Sequence, residues 1–203
     1  MSSFFAEKLK HTYAYHEFNQ MVEGLVGEGK TTGPNQSDAL LHYTELNLKR
    51  MKRLDKTTKL TEELTQMLQG LKKQYIWLVI TEGWCGDAAQ IIPALHAMAE
   101  VSENISLRLI LRDEHLDLME QYLTNGAKSI PVLICLDADS LDVLGHWGPR
   151  PLVPQEMVIK NKESHELSHD DLVLELQKWY NKDKTLSIQQ ELLRAIEKWE
   201  AGQ

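Results

Sequence analysis

Apolar residues recur at mostly three- and four-residue intervals through Phe4, Phe5, Leu9, Tyr13, Phe18, Met21 and Leu25, the spacing of one helical face. The pattern stops at Gly27-Glu28-Gly29 and Gly33-Pro34, so a helical lead-in followed by a break is expected. A second helix is predicted from about Ser37 to Leu54. A third is predicted from about Thr58 to Leu71, where Leu60, Leu64, Met67, Leu68 and Leu71 form a half-buried stripe. After Leu71 short apolar runs alternate with amphipathic segments, which is α/β grammar. Tyr75 to Thr81 reads as a buried strand, Ala88 to Val101 as a helix, and Ser106 to Leu111 as a strand. Glu114 to Leu123 reads as a helix stopped by Asn125-Gly126. Val132 to Leu136 and Leu141 to His146 read as two strands of an antiparallel hairpin turned at Asp137-Ala138-Asp139-Ser140. Two helices are predicted to finish the chain, with Ser168-x-x-Asp171 and Ser187-x-x-Gln190 as capping boxes.

The length of 203 residues suits one domain, or one domain with a long extension, able to bury a core of its own. Its 22 basic and 30 acidic side chains leave a formal charge of −8, which argues against a general nucleic-acid binder. Residues 1–70 are balanced, and the whole acidic excess falls in 71–203. The apolar run from Ile76 to Ile80 is far shorter than the roughly 20 residues that span a bilayer. The N-terminus lacks a basic segment followed by an apolar stretch. A cytoplasmic protein with no membrane partner is the expectation, and in that reducing compartment its two cysteines stay thiols.

Chemistry concentrates in Thr81-Glu82-Gly83-Trp84-Cys85-Gly86-Asp87-Ala88, which puts Cys85 between a buried strand and the first turn of a helix. Unpaired N–H groups and the positive end of the helix dipole favour a thiolate there. Asp87 pulls the other way, because a like charge disfavours the thiolate. Its plain role is capping the helix; the functional alternative is orienting a substrate amide or a proton near the thiol.

This stretch resembles the active site of the thioredoxin family, Trp-Cys-Gly-Pro-Cys at the same strand-to-helix junction, through Trp84, Cys85 and Gly86. Pro93 falls where the family has its helix-kinking proline. Ile130-Pro131 resembles the family's cis-proline dipeptide, which lies against the active-site cysteine and presents backbone to an extended substrate. The resemblance covers about residues 71–181. It implies a thioredoxin-like α/β fold, a central mixed sheet flanked by helices, with an N-terminal helical extension over 1–70 and an extra C-terminal helix within 71–203. It also implies Cys85 as the catalytic residue and Trp84, Gly86, Asp87, Ile130 and Pro131 as substrate-binding residues. Asp87, the helical lead-in and His146-Trp147-Gly148-Pro149-Arg150-Pro151 together resemble a bacterial branch whose motif reads Trp-Cys-Gly-Asp-Cys or Trp-Cys-Gly-Asp-Ala.

The chain departs from the family at Ala88, where the resolving cysteine of disulfide exchange belongs. Cys135 does not replace it, since four strand residues beyond Pro131 put it roughly 13 Å along, and a bridge needs Cα atoms within about 7 Å. Cys135 is expected in the core. The buried carboxylate that thioredoxins carry six residues before the first cysteine is replaced by Val79; Glu82, nearer the strand's end, could substitute for it, but the expectation is an exposed glutamate.

Two functions follow from these residues. In one, Cys85 performs monothiol exchange with a protein disulfide or a low-molecular-weight thiol, or senses peroxide, and an external thiol resolves the adduct. In the other, the chain is a non-catalytic thioredoxin-fold binding or chaperone-like module. A monothiol glutaredoxin reading lacks the glutathione-contact pattern. The eight histidines show no metal-ligand spacing, and neither a metal nor a cofactor is expected. His115 is expected at the solvated surface. Arg150 reads as part of a stiff loop that could anchor an acidic group. The basic run Lys49, Arg50, Lys52, Arg53, Lys56 and Lys59 reads as a solvated helix face, or a docking surface for the acidic part of the chain or a partner.

Overall fold

The computed structural model describes residues 2–201. Strand β1 (Tyr75–Thr81) is the structural axis: six of its seven residues are buried, as a strand with neighbours on both edges and helices around it requires. It pairs in parallel with β2 (Ile105–Leu111), the two joined by helix α5 (Ala88–Glu100). On its other edge it pairs antiparallel with β3 (Val132–Asp137), which forms a hairpin with β4 (Val143–Trp147). The order β2-β1-β3-β4 is an open mixed sheet flanked by helices, the thioredoxin-like arrangement expected. No helix among the described residues is long and apolar enough to cross a membrane.

The N-terminal third differs from the continuous lead-in that its apolar spacing predicts. Helix α1 (Ser2–Leu9) ends, Tyr13 makes an isolated antiparallel bridge to Leu109 on the free edge of β2, and helix α2 (Tyr15–Gly27) begins afresh. The reciprocal backbone bonds between Tyr13 and Leu109, both 2.8 Å, satisfy edge groups that a through-going helix would leave open. Helices α3 (Asp38–Thr57) and α4 (Glu62–Gln69) follow, capped by Ser37 and Thr61 side chains that accept the Leu40 and Leu64 N–H groups. Phe5, Phe18, Val22, Met51 and Leu64 share one core with the sheet residues.

Three other expectations change. The helix predicted over 114–123 shrinks to α6, one turn at Leu116–Met119, because only Leu118 and Met119 of its apolar positions are fully buried. Helix α7 (Leu152–Ser164) arises where the sequence pattern shows only a proline-rich loop; Leu152, Val153 and Ile159 are exposed, so no apolar stripe announces it. Helix α8 (His169–Asp183) is capped by Ser168 as expected, but α9 (Leu186–Ala201) starts ahead of Ser187. There the Asp183 carboxylate accepts the Ser187 N–H at 3.1 Å. Helix α9 lies across β4 with Trp199 against Gly145, where an added Cβ would meet the indole nitrogen at 2.1 Å.

Candidate functional site

The loop from β1 into α5 is held from outside by two buried side chains. Asn47 on α3 donates to the Gly83 carbonyl at 3.0 Å, and the Gly83 N–H donates to the Thr32 hydroxyl at 2.9 Å. The turn closes with the Cys85 N–H on the Glu82 carbonyl, and α5 then starts over Asp87 and Ala88. This places Cys85 at the helix start expected for it.

Its surroundings oppose the thiolate that the helix start favours. Cys85 is 7% exposed. Its thiol donates to the Ile130 carbonyl at 3.3 Å and accepts the Ala88 N–H at 3.4 Å. Burial and then the Asp87 carboxylate push the thiol up to about 12, outweighing the Ala88 and Asp87 N–H groups and the Arg150 guanidinium that favour the thiolate. The helix-terminus effect is present, but it is smaller than the cost of desolvating a thiolate.

Asp87 makes no side-chain capping bond, and its backbone is already helical. Its carboxylate instead accepts the Arg150 guanidinium at 2.6 Å through one oxygen and the Tyr180 hydroxyl at 2.9 Å through the other. The Asp87 and Arg150 side chains are only 12% and 16% exposed. Arg150 also donates to Gln155 at 3.1 Å, while its Nε is buried without a partner. The Tyr180 hydroxyl is held well above its ordinary value by burial and by Asp87. Sequence reasoning flagged Arg150 but missed Tyr180, which sits in an ordinary apolar helical stripe and gives no signal of its polar end.

Trp84 is half-buried, with the Arg112 guanidinium 4.7 Å from its ring centroid, and Arg112 is fixed by Asp113 at 2.8 Å. The Ile130–Pro131 peptide is cis and both residues are buried. Above Gly86, the Gln177 amide nitrogen and the Arg50 guanidinium lie 3.7 and 3.8 Å from the point a Cβ would occupy. The structure thus gathers Trp84, Cys85, Gly86, Asp87, Ile130 and Pro131 in one place and adds Arg50, Arg150, Gln177 and Tyr180 from flanking helices and a loop. Cys135 lies in mid-β3 opposite Trp77, fully buried. Among the described residues no group of three metal-ligating side chains occurs.

Two surface assignments are overturned. Glu82 is 1% exposed: one carboxylate oxygen accepts the Asp113 N–H at 2.9 Å and the other has no partner. Burial raises its pKa, the Thr32 and Asp113 donors pulling the other way. A raised native pKa stabilises the fold below the ordinary carboxylate range and withdraws that stability as pH climbs through the native value. Glu82→Gln is therefore expected to melt higher than the wild type at pH 7, with the gain vanishing below pH 4; equal gains at both pH values would refute the assignment. His115, expected at the surface, is 9% exposed because it packs beside Lys8 and His11 of the N-terminal segment. The basic run is not uniformly solvated either: Arg50 is half-buried and Arg53 donates to Asn181 on α8 at 2.9 Å.

A family model described as thioredoxin matches residues 33–168. Among solved structures, the crystal structure of an HIV epitope-scaffold is 23% identical over 91% of this chain and 98% of its own, with a TM-score of 0.53, a likeness of fold. A crystal structure of a protein of unknown function from Pseudomonas aeruginosa is 19% identical over 94% of this chain and 96% of its own, with a TM-score of 0.49. No curated protein matches. With two thirds of its length under that family model and the family's sheet built around its Trp-Cys-Gly loop, the chain belongs to the thioredoxin family.

Proposed function

We propose that this chain works as a binding module on the thioredoxin scaffold, in which Cys85 stays a protonated thiol and does not exchange disulfides in the resting fold. The observation that carries this reading is the buried Cys85 thiol donating to the Ile130 carbonyl, the group beside the cis-proline. With Ala88 in the resolving position, burial of the remaining thiol removes the last part of the dithiol machinery. Trp84 and Gly86, only partly covered, are the members of the site that a partner reaches. On this reading residues 1–70 are a helical extension supporting the domain of 71–203, and the thiols belong in a reducing cytoplasm.

The test is exchange with a chromogenic aromatic disulfide at pH 7.5 without denaturant. Less than a tenth of an equivalent of chromophore is expected in the time the denatured chain releases two, one for each thiol, and Cys85→Ser should retain its fold. Prompt release of one equivalent from the native chain, absent in Cys85→Ser, overturns the reading.

That outcome would favour a second reading, monothiol exchange, for which the Ala88 N–H and Arg150 near the sulfur speak. Cys85 would displace one thiolate from a partner disulfide, leaving a mixed disulfide. An external thiolate would then attack the partner's sulfur, regenerating Cys85 and leaving the partner joined to that thiol. This is the first step of the thioredoxin family's exchange, carried out by Cys85 at the helix start beside the cis-proline.

A further inference from the structure

A groove of about 680 Å³ opens beside the site, between the C-terminal end of α3 and the corner where α8 passes into α9. Its floor is polar and buried: Gln90, Tyr180 and Thr185 are each 5% exposed or less. Around it stand Arg53, Thr57, Lys59, Asn181 and Lys184. Three cations line the groove and no carboxylate does. The two carboxylates nearest the lining in sequence turn to other partners: Asp55 accepts the Tyr15 hydroxyl at 2.6 Å, and Asp183 accepts the Ser187 N–H at 3.1 Å.

Helix ends do not cancel this field. The carbonyl ends of α3 and α8 contribute roughly half a negative charge each, and the amino end of α9 about half a positive one. On the lining itself three full cations outweigh these half-charges, in a chain whose net charge is −8. A concentration of positive charge in a concave site of an acidic protein is an anion trap, because low-dielectric walls focus the potential. One turn before Arg53, the guanidinium of Arg50 extends the same helix face toward Gly86. It is half-buried, forms no ion pair with a described carboxylate, and bonds only the Asn47 side-chain oxygen at 2.8 Å. Its pKa is lowered by burial and by Arg53, the situation an incoming anion relieves.

We propose that this groove binds a small organic polyanion, a molecule carrying two or more phosphate or carboxylate groups, with Arg53, Lys59 and Lys184 as its cation contacts. The volume lies within the range of about 300–1,000 Å³ typical of small-molecule sites. The floor residue Tyr180 is the one that bonds Asp87, and the floor residue Gln90 donates at 2.6 Å to Gln177 above Gly86. A ligand seated there would therefore rest on side chains that hold the Cys85 loop.

The probes are inorganic pyrophosphate and citrate, titrated into the full chain by calorimetry at an ionic strength held constant with sodium chloride. Saturable 1:1 binding of either probe is expected, the tighter one naming the anion chemistry. The Arg53→Gln/Lys184→Gln variant should bind at least tenfold more weakly. Lys128→Gln, whose side chain pairs with Glu120 at 3.0 Å, should leave affinity unchanged. Should loss of the Arg53–Asn181 bond unfold the first variant, Lys59→Gln/Lys184→Gln carries the test. No saturable binding by either probe, or equal affinity in wild type and groove variants, overturns the proposal. The Cys85 exchange assay reads a different group, so either conclusion fails without the other.

Discussion

At pH 8, Cys85 in the folded chain is expected to react with iodoacetamide about a thousandfold more slowly than in the denatured chain, and Asp87→Asn is expected to recover at least tenfold of that rate. A thiol pushed up to about 12 is ionised in roughly one molecule in ten thousand at pH 8, whereas a free thiol near 8.5 is about one quarter ionised. Burial is the larger cause and the Asp87 carboxylate the next. Removing that charge deletes the repulsion and leaves Arg150 as an unopposed cation near the sulfur, so both changes favour the thiolate. The same substitution strands a guanidinium that is 16% exposed, and breaking a buried pair from one side costs about 3–5 kcal/mol. Lower stability and faster alkylation should therefore appear together.

A loosened fold would also speed alkylation, and the opposite half of the pair separates the two causes. Arg150→Met costs a similar amount of stability, but it leaves Asp87 facing the thiol without its neutralising partner. Its alkylation, measured well below the melting temperature, should be no faster than the wild type. Equal acceleration in both variants would mean that opening of the site, rather than charge, controls the thiol.

These charges explain why the scaffold was legible in the sequence while the state of its cysteine was not. Tyr75–Thr81 stands out because a strand paired on both edges and covered by helices must be apolar throughout, and that demand is written in consecutive residues. The junction of β1 and α5 is equally local, so Cys85 falls where Trp-Cys-Gly predicts. Its ionisation depends on Asp87, Arg150 and Tyr180, the last two brought in from 63 and 93 residues beyond the first. No spacing rule connects them. Glu82 misled for the same reason: a glutamate after a strand reads as solvent-facing until the Asp113 N–H, 31 residues away, covers it. Helix α7 failed differently, since periodicity reports burial of one face and Leu152, Val153 and Ile159 lie exposed. Chemistry set by side chains meeting across loops is the part that a linear reading loses.

The loop that carries Arg150 to Asp87 supplies the second large effect: Gly148→Ala is expected to cost about 3 kcal/mol or more and, like Arg150→Met, to leave Cys85 alkylation no faster than in the wild type. Gly148 has φ +124°, and a Cβ there would stand 2.5 Å from the Pro131 carbonyl oxygen. The backbone conformation alone costs of order 1–3 kcal/mol for a residue with a side chain. The clash adds to it, because its other party is buried backbone beside the site and has no rotamer to change. Gly126→Ala isolates the two contributions, since Gly126 also has positive φ, +76°, but nothing within 4 Å of its Cβ position. That control should lose only about 1 kcal/mol and leave alkylation unchanged. Displacement of the loop in Gly148→Ala draws Arg150, two residues on, from the Asp87 carboxylate, so Asp87 then acts on the thiol alone. Thermal melting should report the larger loss at Gly148. If both glycine variants lose the same stability, the approach of loop 148–151 to Pro131 is not what holds Arg150 in place.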